Sequence, residues 1–225
     1  MLRNIFPSLL IFAVAIAGSY YFVQNRNAPD TELATLEQIV DVVDVQASEG
    51  AEVQEMALGS EDAPVTVIEY ASFTCPHCAR FHEEVFGALK TDYIDTGKIR
   101  FIQRDVYFDR FGLWAAMLAR CEGKDKYFGM SDLIFSRQKE WTKGDSNAEL
   151  VANLKKLGRI AGMDDATMDG CLQNNDWAQA LVAAYQKNAD ADDISGTPSF
   201  IINGEKYPNM SLDDFRDTLD GLLAD

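Results

Sequence analysis

The chain has 225 residues, enough for one sizeable domain plus an appendage, and carries 36 Asp and Glu against 20 Lys and Arg, a net charge of −16. That balance excludes binding to nucleic acid or to an anionic lipid surface by charge, and no glycine-rich loop of the phosphate-cradling kind is present. The two histidines are His77 and His82, so a Ser-His-Asp hydrolase has no base away from one short cysteine motif.

Residues 1–26 read as an export or anchoring segment. Arg3 precedes a largely apolar run from Ile5 to Val23. As a helix this run is about 28 Å long, close to a bilayer core. An uncleaved signal anchor fits, with the amino terminus cytoplasmic and the rest outside, although Arg26 weakens that charge bias. Ala15-Ile16-Ala17 also fits a cleavage site, so a removed signal peptide stays open. Residues 27–56 are acidic, without a Lys or Arg, and read as a solvated linker extended by its own charge. Leu33, Leu36, Val40 and Val43 have the spacing of a short dimerising helix, the alternative for this stretch.

The folded domain is expected over 57–225. Asp62-Ala63-Pro64 turns into Val65-Thr66-Val67-Ile68-Glu69-Tyr70-Ala71, apolar on both faces as in a buried central strand. A carboxylate at Glu69 is expected to hold its proton more tightly there and to relay protons to Cys78; a solvent-facing Glu near a strand end is the plain alternative.

Cys75-Pro76-His77-Cys78 follows, opening an amphipathic segment with Phe81, Val85, Phe86 and Leu89 on one face. Two thiols therefore fall in the first turn of a helix. Unpaired N–H groups and the positive end of the helix dipole favour a thiolate there. Pro76 suits the first helical turn, where its missing N–H has no partner to lose. His77 is expected to add positive charge or a hydrogen bond. Cys75 then reads as the exposed, acidic nucleophile and Cys78 as the resolving thiol.

Ile99 to Val106 alternates as a second strand, pairing parallel to the first with the cysteine helix as crossover. From Phe111 to about Ala189 the spacing is helical, punctuated by Gly123, Gly144 and Gly162, with a capping-box start at Ser146 and Glu149. Cys121 and Cys171 lie on apolar helical faces. In an exported chain they are expected to pair as a structural disulfide; two buried free thiols are the alternative. Further on, Gly196-Thr197-Pro198-Ser199 leads into a short strand, Phe200 to Ile202, and Asn203-Gly204 is a two-residue hairpin turn. Ser211 and Asp214 start a last helix with Phe215, Leu219 and Leu222 as its buried stripe.

Strand, CPHC and helix, followed about 120 residues later by Thr197-Pro198 before a strand, resemble the thioredoxin superfamily. The run Val67 to Cys78, the Thr197-Pro198 step and the long helical stretch between them are similar to its DsbA-like branch, over about residues 57–224. The resemblance implies an α/β thioredoxin fold with an inserted α-helical domain at about 108–190, here preceded by an N-terminal apolar helix. It implies a thiol–disulfide oxidoreductase outside the cytoplasm, acting on cysteine-containing protein substrates. Cys75 would form the mixed disulfide, Cys78 would resolve it, and Thr197 with Pro198 would hold the substrate backbone against the sulfur. A periplasmic location, a tether through residues 5–23 and a DsbB-like quinone-linked membrane oxidase as redox partner go with that reading. No cofactor and no metal are expected.

Other readings of the motif are weaker. Cys75, Cys78 and His82 supply three zinc ligands where a structural site takes four. A purely structural Cys75–Cys78 bond closes too small a ring to stabilise much. A cysteine protease built on Cys75 and His82 has a resolving thiol beside its nucleophile. Among redox functions, an oxidase is expected, with a reductase or isomerase working from the dithiol as the alternative. A thioredoxin-like binding module with a vestigial CPHC is the reading from a different class.

Overall fold

A computed structural model describes residues 53–224; the apolar segment, and the acidic linker up to residue 52, lie outside the described residues. Among the described residues no helix is long and apolar enough to cross a membrane.

Five strands form one mixed sheet: β1 (Met56–Leu58), β2 (Val65–Ala71), β3 (Ile99–Asp105), β4 (Ser199–Ile202) and β5 (Glu205–Tyr207), in the order β1-β3-β2-β4-β5. β2 is central. It runs parallel to β3, with Glu69 opposite Gln103, and antiparallel to β4, with Glu69 opposite Phe200. Because side chains alternate along a strand, Val65, Val67, Glu69 and Ala71 share one face.

On that face Val67, Phe101, Phe200 and Ile202 pack against Phe81, Phe86 and Leu89 of the cysteine helix and against Phe215 and Leu219. Burying each such side chain contributes roughly 1.5–3 kcal/mol. The cysteine helix, α1 (Pro76–Phe81), continues through a π-helical turn (His82–Phe86), an α-turn (Gly87–Leu89) and a second π-helical turn (Lys90–Ile94). The opposite face of the sheet holds Tyr70, Val106 and Ile201, with Ile68, Tyr185 and Ile194 packed on them.

The parallel β2–β3 pair requires a crossover, which α1 and its continuation provide. Between β3 and β4 lies an all-helical insertion: α2 (Arg110–Arg120), α3 (Lys124–Ser136), α4 (Gln138–Trp141), α5 (Asn147–Ile160), α6 (Asp165–Leu172) and α7 (Asn175–Ala191). Ser146 caps α5 by accepting from the Glu149 amide. Cys121 and Cys171 are joined as a disulfide between the end of α2 and α6. Asn203 and Gly204 both have positive φ, 47° and 90°, which fits the tight β4–β5 hairpin. The last helix, α8 (Leu212–Ala224), returns to the sheet.

β1 extends the domain upstream of the expected boundary at residue 57. Met56 is 3% exposed and pairs with Gln103. Gly59 ends this strand with φ 87°, and a Cβ there would meet the Ile99 carbonyl oxygen at 2.4 Å. Glycine is therefore required for β1 to turn away from β3.

Candidate active site

Cys75 is the N-cap of α1, extended at φ −80° and ψ 119°, and Pro76 occupies the first helical position. The turn before the helix is held from two sides. Thr74 Oγ1 donates to Asp109 Oδ2 at 2.7 Å, while Asp109 Oδ1 caps α2 by accepting from the Gly112 amide at 2.9 Å. The Gln138 carboxamide of α4 donates to the carbonyls of Phe73 and Cys75 at 2.8 and 3.0 Å. The helical insertion thus grips the backbone that presents the sulfur.

Both motif cysteines are free thiols, Cys75 partly exposed and Cys78 fully buried. Their environments push them in opposite directions. The Cys75 thiol is lowered to about 5, first by the hydrogen bond from Cys78, then by Thr197 and the backbone amides of Cys78 and His77, against the opposing effect of partial burial. Cys78 is raised far above the ordinary thiol range, first by desolvation, then by its hydrogen bond to Cys75 and by the charge of Glu69. One sulfur is built to be a thiolate and the other to keep its proton.

Thr197 and Pro198 stand directly across from the nucleophile. The Cys75 thiol donates to the Thr197 carbonyl at 3.5 Å, and the Thr197–Pro198 peptide bond is cis. The Thr197 hydroxyl is buried without a hydrogen-bond partner. It lies close enough to Cys75 to favour the thiolate. The His77 side chain is exposed, and its backbone amide is among the groups that lower Cys75.

Glu69 sits beneath the motif at 0% exposure, its Oε2 3.0 Å from His82 Nε2. His82 stacks on Phe135 with ring centroids 4.1 Å apart. Its partner role was not read from the sequence, although His82 follows Cys78 by one helical turn on a buried apolar stripe, the position from which a ring reaches the sheet. Gln138 and Asp109 were missed as well. Their contact with the motif depends on how the insertion folds back, which no local pattern records. Among the described residues no three His, Cys, Asp or Glu side chains are grouped to hold a metal ion. Beside the motif an open cleft of about 600 Å³ is lined by Thr74, Pro76, Asp109, Phe111, Lys139 and Leu150.

Comparison with known proteins agrees with this geometry. A thioredoxin family model matches residues 51–221. A protein of Rickettsia typhi described as a putative protein-disulfide oxidoreductase is 35% identical over 172 residues, 76% of this chain and 63% of that protein. The disulfide bond formation protein D of Bacillus subtilis is 27% identical, over 72% of this chain and 74% of its own. The chain thus spans about three-fifths of the length of the Rickettsia relative. Among solved structures, Wolbachia pipientis α-DsbA1 superposes with a TM-score of 0.71 at 28% identity, covering 77% of this chain and 93% of that one. By the extent of the family match, and with fold and motif in agreement, the chain belongs to the thioredoxin family and, within it, is DsbA-like.

Proposed function

We propose that the protein is an exported thiol–disulfide oxidoreductase that introduces disulfide bonds into extracytoplasmic proteins through the Cys75–Cys78 pair. The observation that carries this reading is the opposed chemistry of the two sulfurs. A Cys75 lowered to about 5 is a stable thiolate at neutral pH, which favours the reduced pair and makes the disulfide oxidising.

In the oxidised enzyme a substrate thiolate attacks Cys75 Sγ. The Cys75–Cys78 bond breaks, its electron pair goes to Cys78, and a mixed disulfide forms at Cys75. A second substrate thiolate then attacks the substrate sulfur of that bond, and Cys75 leaves as a thiolate. Cys75 is the better leaving group because its conjugate acid is the stronger one. Cys78 needs a proton as it leaves the first disulfide, and Glu69, buried beneath it, is the group assigned to deliver it. Thr197 and Pro198 flank Cys75 and are assigned to the substrate backbone.

The Cys121–Cys171 disulfide supports a location in an oxidising compartment. The periplasm, a tether through residues 5–23 and a DsbB-like membrane oxidase that regenerates the disulfide complete the proposal. Mixing the oxidised protein with a reduced, unfolded disulfide protein tests it. Wild type is expected to transfer its disulfide stoichiometrically, and Cys78→Ala, which cannot form the Cys75–Cys78 bond, to transfer none. Oxidation of thiols by Cys75→Ala would sink the assignment.

A further inference from the structure

One oxygen of Glu69 is occupied and the other is open. Oε2 meets His82 Nε2, whereas Oε1 is buried without a hydrogen-bond partner. His82 Nδ1 and Gln103 Nε2 are buried and unpartnered too. The imidazole cannot swing away. It lies between Phe135, Phe86 at 4.8 Å and the edge of Phe81 at 5.5 Å, and the His82 and Glu69 side chains are 3% and 0% exposed. A buried carboxylate needs a donor, and a ring hydrogen on Nε2 supplies it, with Nδ1 then bare.

The elements packed around the pair bring little charge. β3 contributes Gln103, whose Oε1 accepts from Ser131 of α3 at 3.0 Å. β4 contributes Phe200. Asp105, next along the same face of β3, is closed off by Arg120 and Tyr127, each at 2.6 Å. On the cysteine helix Arg80, Glu83 and Glu84 are exposed, as is Asp132 on α3. That leaves Cys78, one turn before His82, as the titratable group sharing this buried layer with the pair.

We propose that His82 is the positioning residue of the proton relay: its Nε2–H holds Glu69 Oε2, which leaves Oε1 to exchange a proton with Cys78, and it stabilises the carboxylate that remains. This rests on the reading of Glu69 as the relay given above. When the Cys75–Cys78 bond breaks and its electron pair arrives on Cys78, the Oε1–H bond of Glu69 breaks and an S–H bond forms. The negative charge moves from sulfur to a carboxylate already holding one hydrogen bond. Solvent later returns the proton to Glu69. Without His82 that carboxylate is left buried with no donor, which disfavours the charged form.

The test is the midpoint potential of the Cys75–Cys78 pair measured against pH in the full chain and three variants. Wild type is expected to show, besides the break near 5 that the Cys75 thiolate gives in every variant, a second break in slope that Glu69→Gln abolishes. His82→Phe keeps the ring stack but loses the donor, and is expected to move the break up by about one pH unit or more. His82→Gln restores an N–H donor, and is expected to return the break to within about half a unit of wild type. A second break unmoved in His82→Phe, or moved as far in His82→Gln, overturns the role of His82. A second break that survives Glu69→Gln overturns the relay and this inference with it. The absolute potential, which tests the oxidase reading, is a separate number from the same titration. Should His82→Phe fail to fold, 15N spectra of wild type decide. A ring hydrogen on Nε2 is expected, and an Nδ1–H tautomer overturns the proposal.

Discussion

Gln138 donates a hydrogen bond to the carbonyl oxygen of Cys75 at 3.0 Å, across 63 residues of sequence. The same carboxamide nitrogen reaches the Phe73 carbonyl at 2.8 Å. An element of the helical insertion therefore fixes the turn that carries the nucleophile. Gln138→Ala strands the Phe73 carbonyl and leaves the Cys75 carbonyl with the Ala79 amide as its donor, and is expected to lower the unfolding free energy by about 1–3 kcal/mol, read from denaturant titration. Gln138→Glu puts a carboxylate against the same carbonyls and brings negative charge toward Cys75. It is expected to raise the pH midpoint of Cys75 alkylation.

The depressed Cys75 thiol gives a direct kinetic signature. Alkylation of the reduced protein is expected to follow a single titration with its midpoint near 5, at Cys75 alone, while Cys78 stays unmodified through neutral pH. The same shift sets a stability trend. A folded-state value below that of an unfolded cysteine, about 8.5, means the unfolded chain binds more protons between the two. Cys75 therefore stabilises the reduced fold increasingly as pH rises through that window, and the contribution is lost as pH falls through about 5. Cys78, shifted the other way, opposes it only above the unfolded value. Melting the reduced and oxidised forms in parallel from pH 5 to 8 checks the sign: the reduced form is expected to gain on the oxidised.

Thr197→Val separates the hydroxyl from the peptide it sits on. The hydroxyl is buried and unpartnered when Cys75 is a thiol, so its removal is expected to leave stability unchanged or slightly raised. It is also one of the groups that favour the thiolate, so the Cys75 alkylation midpoint is expected to rise, by up to about one unit. An unchanged midpoint would mean the hydroxyl does not act on the sulfur.

The Cys121–Cys171 disulfide closes a loop with a sequence separation of 50. Replacing both residues by Ser is expected to cost up to about 4 kcal/mol of stability by the loop-entropy model. Alkylation of Cys75 is expected to stay at the wild-type rate, because the bridge joins the end of α2 to α6, whereas α2 meets the motif turn at its opposite end, through Asp109. A large change in that rate would show the bridge is coupled to the catalytic turn.

What the sequence made legible was local. Cys75, Pro76 and Cys78 declare a helix start by residue type and spacing. Asn203-Gly204 declares its hairpin in the same way, and Ser211 with Asp214 the start of α8. β1 escaped notice because three residues are too few to show a period, and because Met56 is buried by pairing with Gln103 rather than by any pattern of its own. The environment of Glu69 was legible from the apolar strand around it, but its partner was not. His82 is 13 residues away and meets it only once the helix lies on the sheet. Gln138 lies further still from what it holds. Chemistry carried by one segment could be read in advance, and chemistry assembled between segments needed the fold.

The measurement that tests the account most directly is the reduction potential of the Cys75–Cys78 pair, by glutathione titration. The account predicts a strongly oxidising couple, toward about −120 mV, because a thiolate at Cys75 favours the dithiol. A value near roughly −270 mV would contradict it, and would make the protein a donor of electrons rather than of disulfides.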